Sequence, residues 1–497
     1  MDKDVNVVDI NPESHLMFYL RAMQVWGMWP YKSKSSFITA AHWIYSKSMM
    51  LCLLIISIQQ LLQMTISPDL ENISAAIDVA SLTLAALYRQ ALFMFYIKDF
   101  KSLADKVDAN FLPHRLPYNV KFDINQWIKY ARLFTYVYFF LPVLIIIAWV
   151  TSRNIDNIKI SQELEKISSV PGEYDNLTLA EQMALNLTTA VQDEEVLVLL
   201  PKTNLQHVKR RLPVNCWYPF DSGVSPAFEI AFVWETSMAA VCGMAYVISD
   251  ALLFMMIYLI CGQLQIVKIS LYALKDDYAK FKQTVTEKLI ITREKDSLKS
   301  LAAWEGYSKE REIQAKMDEA IIKCVDYHNE ILRVIEDLDM MLRTSIVVDF
   351  LHAVVSLSFA MLQTVRAETA DKDVNCKTEQ KNVSASDEIA NTIYEWIQMI
   401  LFIGTCILHQ FLNNLFCEVL IQQQETLAEA AYDAPWVDGS STQKTAVYMV
   451  MVQARKPLRL SGWKMYVLGL STFVDFIKLL ASYFLVLQTL HAEEKKE

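Results

Sequence analysis

Seven apolar stretches dominate this chain, and each is long enough to form a helix that crosses a membrane. They lie at residues 49–66, 73–97, 127–150, 227–260, 341–365, 394–421 and 463–490. A helix needs about 20 mainly apolar residues to cross the hydrocarbon core of a bilayer. Hydrophobic residues make up 53% of the 497 residues, and only 10 residues are glycine. The pattern predicts an all-α membrane protein with seven transmembrane helices.

The orientation of these helices is inferred from the N-terminus and from glycosylation sequons. The first residues are acidic and lack the basic segment of a signal peptide, which favours a cytoplasmic N-terminus. Lysine and arginine occur on both sides of the predicted helices and do not decide the orientation. Four N-x-[ST] sequons fall in connections on one side, at Asn72, Asn176, Asn186 and Asn382. Glycosylation there would make that side extracellular, and the C-terminus would lie on it. A G-protein-coupled receptor has the reverse topology.

The connections divide the chain into four predicted regions. Residues 1–265 hold an N-terminal helix and transmembrane helices 1–4, with a long glycosylated outer loop at 152–224. Residues 266–340 form a cytoplasmic linker and the start of helix 5, and residues 341–421 hold transmembrane helices 5–6. Residues 422–497 form a cytoplasmic anchor followed by helix 7.

Two segments outside the apolar stretches have amphipathic patterns. Residues 12–30 are too polar to cross a membrane and predict a helix that lies in the membrane interface. Ahead of helix 5, an apolar stripe at helical spacing needs to be covered from water. Its members are Ile321, Val325, Ile331, Leu332 and Ile335. The stripe predicts a cytoplasmic helical cluster that packs within and between subunits, and therefore an oligomer.

The last apolar stretch contains two charged residues, Asp475 and Lys478, although an unpaired charge facing lipid is costly. The two residues are three positions apart, so they can pair across one helical turn. A helix of this kind is expected to have one face in contact with protein or water.

Motifs that carry catalysis are absent from the sequence. There is no glycine-rich phosphate loop, no H-E-x-x-H, no CxxC pair and no nucleophile elbow, so we expect neither an enzyme nor a bound metal or cofactor. His328 and His352 are interpreted as packing residues. Cys216 and Cys376 both fall in predicted extracellular connections, where disulfides persist, so a bridge between them is a hypothesis.

Three stretches resemble the insect odorant receptor family. Residues 212–232, "LPVNCWYPFDSGVSPAFEIAF", are similar to the family's entry to helix 4. "CVDYHNEILRVIEDL" resembles its start of helix 5, and "ETLAEAAYDAPW" with the segment from "VQARKPLRLSG" to "SYFLVL" resembles its anchor and helix 7. The outer loop before helix 4 is longer than in a typical odorant-tuned member, and the inner loop is also long, which resembles the shared co-receptor subunit. The chain's ending resembles that of an odorant-tuned subunit more. We favour the odorant-tuned subunit.

The resemblance implies an odorant-gated, non-selective cation channel in the plasma membrane of an olfactory sensory neuron dendrite. It implies a tetramer with a co-receptor subunit, or with copies of this chain, around a pore lined by helix 7. Val486 and Leu490 match the family's gate positions. Volatile odorants would bind in the outer half of the bundle, in contact with Leu82, Tyr138, Leu141, Leu144, Ile145, Phe232, Thr236, Ala239, Tyr394, Ile397 and Leu401. Membrane lipids are the other expected partners, and nucleic acid is not expected.

Three other classes of membrane protein fit the sequence less well. A gustatory receptor of the same superfamily is disfavoured by the motif at residues 217–221. A G-protein-coupled receptor requires the opposite topology. A transporter would be indicated by inverted repeats or by helices broken at glycine and proline, and Pro142 is the one such break in the apolar stretches that we identify.

Overall fold

A computed structural model describes most of the chain outside the long outer loop. The described residues are 16–31, 33–66, 70–109, 212–214, 216–222, 224–293, 299–378, 385–437 and 439–494, together with 19 of the 31 positions from 128 to 158. The described positions between 128 and 158 are helical, and we refer to them as the 128–158 segment.

Nine helices and one small hairpin are the regular elements among the remaining described residues. The helices are α1 (Met17–Val25), α2 (Ser36–Ile66), α3 (Leu70–Phe95), α4 (Ile97–Ala109), α5 (Ala227–Arg293), α6 (Lys299–Thr378), α7 (Ala385–Asp433), α8 (Ser441–Ala454) and α9 (Leu470–Glu494). The hairpin strands are β1 (Ser461–Gly462) and β2 (Tyr466–Val467). This architecture confirms the all-α prediction.

Within the described part of the chain, five helices are long and apolar enough to cross a membrane. They are α2, α5, α6, α7 and α9, and the pair formed by α3 and α4, bent by 77°, would make a sixth. These correspond to six of the seven predicted stretches. The remaining stretch, 127–150, falls in the 128–158 segment, whose described positions are all helical.

Helix α5 lies in the middle of the bundle. Between residues 241 and 271 it is apolar on nearly every face, which is typical of a helix surrounded by other helices. It packs against α1, α3, α6 and α7. The largest cluster of buried side chains in the described residues forms around it.

The N-terminal helix is packed more deeply than the sequence predicts. In α1, Tyr19, Leu20 and Met23 are buried against the bundle, while Phe18 and Val25 on the other face are exposed. The Tyr19 hydroxyl donates a hydrogen bond to Thr135 Oγ1 of the 128–158 segment at 3.0 Å. One face of α1 is therefore part of the protein core, and its position in the membrane interface stays a prediction.

The apolar stripe ahead of helix 5 lies on α6 and is covered within the chain. Ile321, Ile331 and Ile335 are buried in the main cluster, and Val325 packs against it. Helices α5, α7 and α8 all pack against α6. The predicted packing of the stripe within the subunit is confirmed, and its packing between subunits stays a prediction.

The predicted start of helix 7 at residue 463 is wrong because a hairpin occupies residues 461–467. Trp463 and Lys464 form its turn with positive φ values of 52° and 61°, and Met465 N–H donates to Gly462 C=O at 2.9 Å. Gly462 lies so close to α6 that a Cβ atom there would come within 2.6 Å of Val347 Cγ2. The hairpin is therefore pressed against α6, and α9 begins only at Leu470.

Candidate functional site

Helix α9 is held to the bundle at its start and along one narrow face. Asn414 and Glu418 of α7 accept hydrogen bonds from the first amides of the helix, Gly469 N at 3.0 Å and Leu470 N at 3.1 Å. These amides have no partner inside a helix, so the side chains satisfy them. Further along, Phe476 and Leu480 are buried against α6.

The rest of α9 is exposed, although it is mainly apolar. Leu479, Leu485 and Val486 are 61%, 62% and 50% exposed. The ion pair expected from the sequence is confirmed, since Lys478 Nζ lies 3.1 Å from Asp475 Oδ1. Both side chains are exposed, and an exposed pair of this kind contributes little stability. An apolar helix with this much free surface requires another covering, either lipid or further protein.

The two expected gate residues both lie on α9. Val486 is half exposed, and its carbonyl accepts a hydrogen bond from Thr489 Oγ1 at 2.8 Å. Leu490 belongs to the same helix, but its side chain is outside the described part. Their gating role stays a prediction.

Residues 212–222, which resemble the family's entry to helix 4, are fixed by hydrogen bonds to a buried carboxylate. Glu235 of α5 accepts hydrogen bonds from Val214 N–H at 2.7 Å and from the Tyr218 hydroxyl at 3.0 Å. Gln59 of α2 accepts one from the Trp217 amide at 3.3 Å and one from Trp234 Nε1 at 3.1 Å. The motif therefore joins α2 and α5 at this end of the bundle, which we call the signature end. The opposite end, which carries the hairpin, is the hairpin end.

Cys216 lies inside this tethered segment as a buried free thiol. Burial is the larger cause that raises the pKa of the Cys216 thiol, and the nearby Glu235 carboxylate is the second. The side chain of Cys376 is outside the described part. The Cys216 thiol contacts the polar groups of Glu235 and Gln60, and its bridge to Cys376 stays a prediction.

The residues expected to bind odorant are distributed over different environments. Leu82, Phe232, Thr236 and Ala239 are half-buried on α3 and α5, and Phe232 packs against Phe228 with ring centroids 5.9 Å apart. Leu144, Ile397 and Leu401 are exposed at 61%, 49% and 42%, so they do not line an enclosed pocket within one chain. Leu141, Ile145 and the side chain of Tyr394 are outside the described residues. These assignments stay predictions.

Among the expected glycosylation sites, only Asn72 has a described backbone, in the first turn of α3. Asn176, Asn186 and Asn382 are outside the described residues.

A buried ionic cluster in the bundle was not anticipated from the sequence. Its centre is Arg89 of α3, which is 2% exposed. Arg89 Nη1 donates to Asp250 Oδ1, to Ser249 Oγ and to the Tyr246 carbonyl, and Nη2 donates to Asp349 Oδ2 at 2.7 Å. The guanidinium carbon lies 3.7 Å from the centroid of the Tyr246 ring, which adds a cation–π contact.

Two further elements join the cluster through the carboxylates. Asp250 Oδ2 accepts a hydrogen bond from the Tyr138 hydroxyl at 3.0 Å and lies 2.7 Å from His409 Nε2. Asp349 Oδ1 accepts one from the Tyr246 hydroxyl at 2.8 Å. The cluster therefore connects α3, the 128–158 segment, α5, α6 and α7 at one level of the bundle.

Tyr138, expected to bind odorant, thus has its hydroxyl bonded to Asp250, while its ring packs on Phe254 at 5.5 Å. The signal for the cluster was present in the sequence, since Asp250 and Asp349 interrupt apolar stretches, where ionisable residues are rare. The two histidines interpreted as packing residues are hydrogen-bonded, His328 to Gln424 at 3.4 Å and His352 to Ser81 at 2.9 Å.

Comparisons of this chain with protein families, curated proteins and solved structures all find similarity to odorant receptors. A family model described as "7tm Odorant receptor" matches residues 183–372 and 388–481. The odorant receptor coreceptor of Anopheles gambiae is 23% identical over 323 residues, covering 56% of this chain and 63% of that protein. Odorant receptor 83a of Drosophila melanogaster is 20% identical over 300 residues, covering 57% of this chain and 62% of that protein. The chain therefore spans less than two thirds of the length of these curated relatives.

A solved structure matches over nearly the whole chain. The insect olfactory receptor OR5 from Machilis hrabei has a TM-score of 0.62 and 15% identity, over 96% of this chain and 97% of that chain. A second structure of the same receptor, in complex with eugenol, also has a TM-score of 0.62. At this identity the likeness establishes the fold, that of an all-α membrane protein.

Proposed function

The chain belongs to the 7tm odorant receptor family, and from that premise we propose that it is a subunit of an odorant-gated, non-selective cation channel. Within the channel, α9 lines a central pore, and odorants bind toward the signature end of the bundle. The subunit works as a tetramer with an odorant co-receptor, or with copies of itself, in the plasma membrane of olfactory neuron dendrites. Its N-terminus is cytoplasmic, and its C-terminus is extracellular.

The observation that carries this proposal is the exposure of α9. The helix contacts its own bundle mainly through the side of Phe476 and Leu480, and its remaining apolar surface is uncovered in a single chain. Lipid alone does not suit the exposed Asp475 and Lys478, because charged groups in hydrocarbon are costly. Neighbouring subunits and a water-filled pore would cover both kinds of surface.

The proposed ligand class follows from the half-buried positions at the signature end. Leu82, Phe232 and Ala239 offer apolar contact, and Thr236 adds a hydroxyl whose oxygen is buried without a hydrogen-bond partner among the described residues. Such a lining suits small, weakly polar volatile molecules that bind through burial and at most one or two hydrogen bonds. The relative solved in complex with eugenol binds a molecule of this kind.

The experiment that tests the pore introduces a polar group at the expected gate. If Val486 and Leu490 close the pore as a narrow apolar ring that excludes water, Val486→Ser and Leu490→Ser should raise the resting cation current without odorant. The chain is co-expressed with a co-receptor subunit, and also alone, in cells under voltage clamp. Currents are normalised to surface expression.

A matched control is available one residue away. Leu485 is 62% exposed, close to the 50% of Val486, but it points about 100° around the helix. Leu485→Ser should leave the resting current unchanged. Equal resting currents in the wild type and in both gate variants, at equal surface expression, would show that the gate lies elsewhere. Equal increases in all three serine variants would indicate a general loosening of α9.

A further inference from the structure

The hairpin lies at the level where two of the apolar helices enter the membrane. Trp463 at its turn donates a hydrogen bond from Nε1 to Thr344 Oγ1 of α6 at 3.2 Å. The apolar stretch of α6 begins at residue 341, and α9 begins at Leu470, shortly after the hairpin. Both α6 and α9 are long and apolar enough to cross a membrane. Their first apolar turns therefore place the hairpin where the hydrocarbon core meets the lipid headgroups.

The chain around the hairpin is basic, although the whole protein is acidic. Residues 439–474 contain five lysine or arginine residues and no aspartate or glutamate, whereas the full chain has a formal net charge of -10. Four of the five lie from the end of α8 to the hairpin turn, and we call them the basic segment. They are Arg455, Lys456, Arg459 and Lys464.

The charges of the basic segment are not balanced by carboxylates in the described part of the chain. All four side chains are exposed, and none of them forms an ion pair with a residue that the structure describes. Exposed lysines elsewhere on α6 do have such partners, since Lys316 pairs with Glu312 and Lys323 with Glu319, each at 2.7 Å. The basic segment therefore has four positive charges available to a partner.

The tip of the hairpin adds apolar surface next to these charges. Trp463 and Met465 are 59% and 84% exposed. The guanidinium carbon of Arg343 lies 5.4 Å from the centroid of the Trp463 ring, a cation–π contact that holds the ring beside α6. Tryptophan is enriched at membrane interfaces, where its apolar ring and polar N–H both find a suitable environment. The hairpin tip thus suits the boundary between acyl chains and headgroups.

We propose that the basic segment and the hairpin tip bind anionic phospholipid, such as phosphatidylserine, in the cytoplasmic leaflet. The inference rests on the proposed orientation, in which the hairpin end is cytoplasmic. Clusters of lysine and arginine directly on the cytoplasmic side of a transmembrane helix attract the anionic lipids of that leaflet. Unpaired positive charges that faced the pathway of a cation channel would instead repel the permeating ions. Bound headgroups neutralise the basic segment and hold the chain that leads into α9.

The test counts the lipids bound to the purified full-length chain by native mass spectrometry in a neutral detergent. Phosphatidylserine and phosphatidylcholine with the same acyl chains are titrated separately, and their apparent affinities are compared. We expect phosphatidylserine to bind more tightly, with a preference that falls as salt is added, because salt screens exposed charges. The assay measures no current, so its outcome does not depend on whether α9 lines a pore.

A variant without three of the charges removes the proposed headgroup contacts. It combines Lys456→Gln, Arg459→Gln and Lys464→Gln, all at exposed positions, where substitutions change stability little. One basic residue near an anionic membrane surface contributes about fivefold in affinity. The three substitutions together should therefore lower the preference for phosphatidylserine by about 100-fold.

The matched control removes the same charge away from the membrane. It combines Lys280→Gln, Lys316→Gln and Lys323→Gln, at exposed lysines that pair within α5 and α6. Along α6, Lys316 and Lys323 lie about 27 to 38 Å before residue 341, which is more than the distance over which salt screens a charge. The control should keep the wild-type preference for phosphatidylserine.

Four results would overturn the proposal. The first is equal affinity of the wild type for the two lipids. The second is an unchanged preference in the triple variant, or an equal loss in the control. The third is binding of soluble glycerophosphoserine, the headgroup without acyl chains, as tightly as phosphatidylserine, which would indicate a site for a free anion. The fourth is a larger single-channel conductance in the triple variant, which would place the basic segment in the ion pathway.

Discussion

Replacing Arg89 tests whether the ionic cluster holds the bundle together. The Arg89→Met variant keeps the length of the side chain and removes its only charge. Asp250 and Asp349, which are 1% and 8% exposed, would then both lose the guanidinium that bonds them. Breaking a buried ion pair by removing one partner costs about 3 to 5 kcal/mol. Folded domains are stable by only about 5 to 15 kcal/mol, so the variant should lose much of its folded population.

A compensated variant separates charge from packing. In the triple variant Arg89→Met, Asp250→Asn and Asp349→Asn, all three positions are neutral, and each Asn Oδ1 can still accept the hydrogen bond from Tyr138 or Tyr246. Replacing a complete buried ionic group by neutral residues is often close to neutral in free energy. We therefore expect the triple variant to recover most of the stability that the single variant loses.

The assay is the fraction of a fluorescent fusion that elutes as a single species from size exclusion after heating in detergent. Lys106→Met is the control, because its ion pair with Asp337 at 2.8 Å is half exposed and such pairs contribute about 0 to 1 kcal/mol. The reasoning is refuted if Arg89→Met melts at the same temperature as the wild type. It is also refuted if the triple variant is no more stable than the single one.

Three further predictions concern the hairpin, the ligand and the topology. Gly462→Ala should destabilise the protein by about 1 to 3 kcal/mol through overpacking, because the added Cβ would clash with Val347. Thermal unfolding measures this, and Gly404→Ala is the control that should not destabilise the protein, because a Cβ there meets nothing within 4 Å. Phe232→Ala should lower agonist sensitivity at unchanged surface expression, since a lost aromatic contact costs on the order of 1 to 3 kcal/mol of burial; an unmoved dose response would place the pocket elsewhere. Endoglycosidase should increase the gel mobility of the wild type from insect cells but not of a variant with Gln at all four sequon asparagines, and an unglycosylated wild type would remove the main support for the orientation.

The transmembrane helices could be predicted from the sequence because the requirement is local. A stretch of about 20 apolar residues has to satisfy its own backbone in lipid, and a helix does so with hydrogen bonds inside the segment. The family segment at residues 212–232 was also recognisable without a structure, since its residues are contiguous. The exception at residues 463–469 is local as well: the segment is apolar enough to extend helix 7, but Gly462 and the turn at Trp463 and Lys464 form a hairpin instead.

Contacts between helices were decided by the tertiary structure. Arg89 lies 161 residues from Asp250 and 260 residues from Asp349, and nothing in their local patterns indicates that they meet. Helix α5 is apolar on nearly all faces, so hydrophobic periodicity does not show how it is rotated toward its neighbours. The exposure of Leu144, Ile397 and Leu401 and the contact of Cys216 with Glu235 are likewise set by packing between segments distant in the sequence. Hydropathy determines which segments enter the membrane. Packing against all the other helices determines how each helix is rotated and how far it is shifted along its axis, and these two quantities decide which side chains touch.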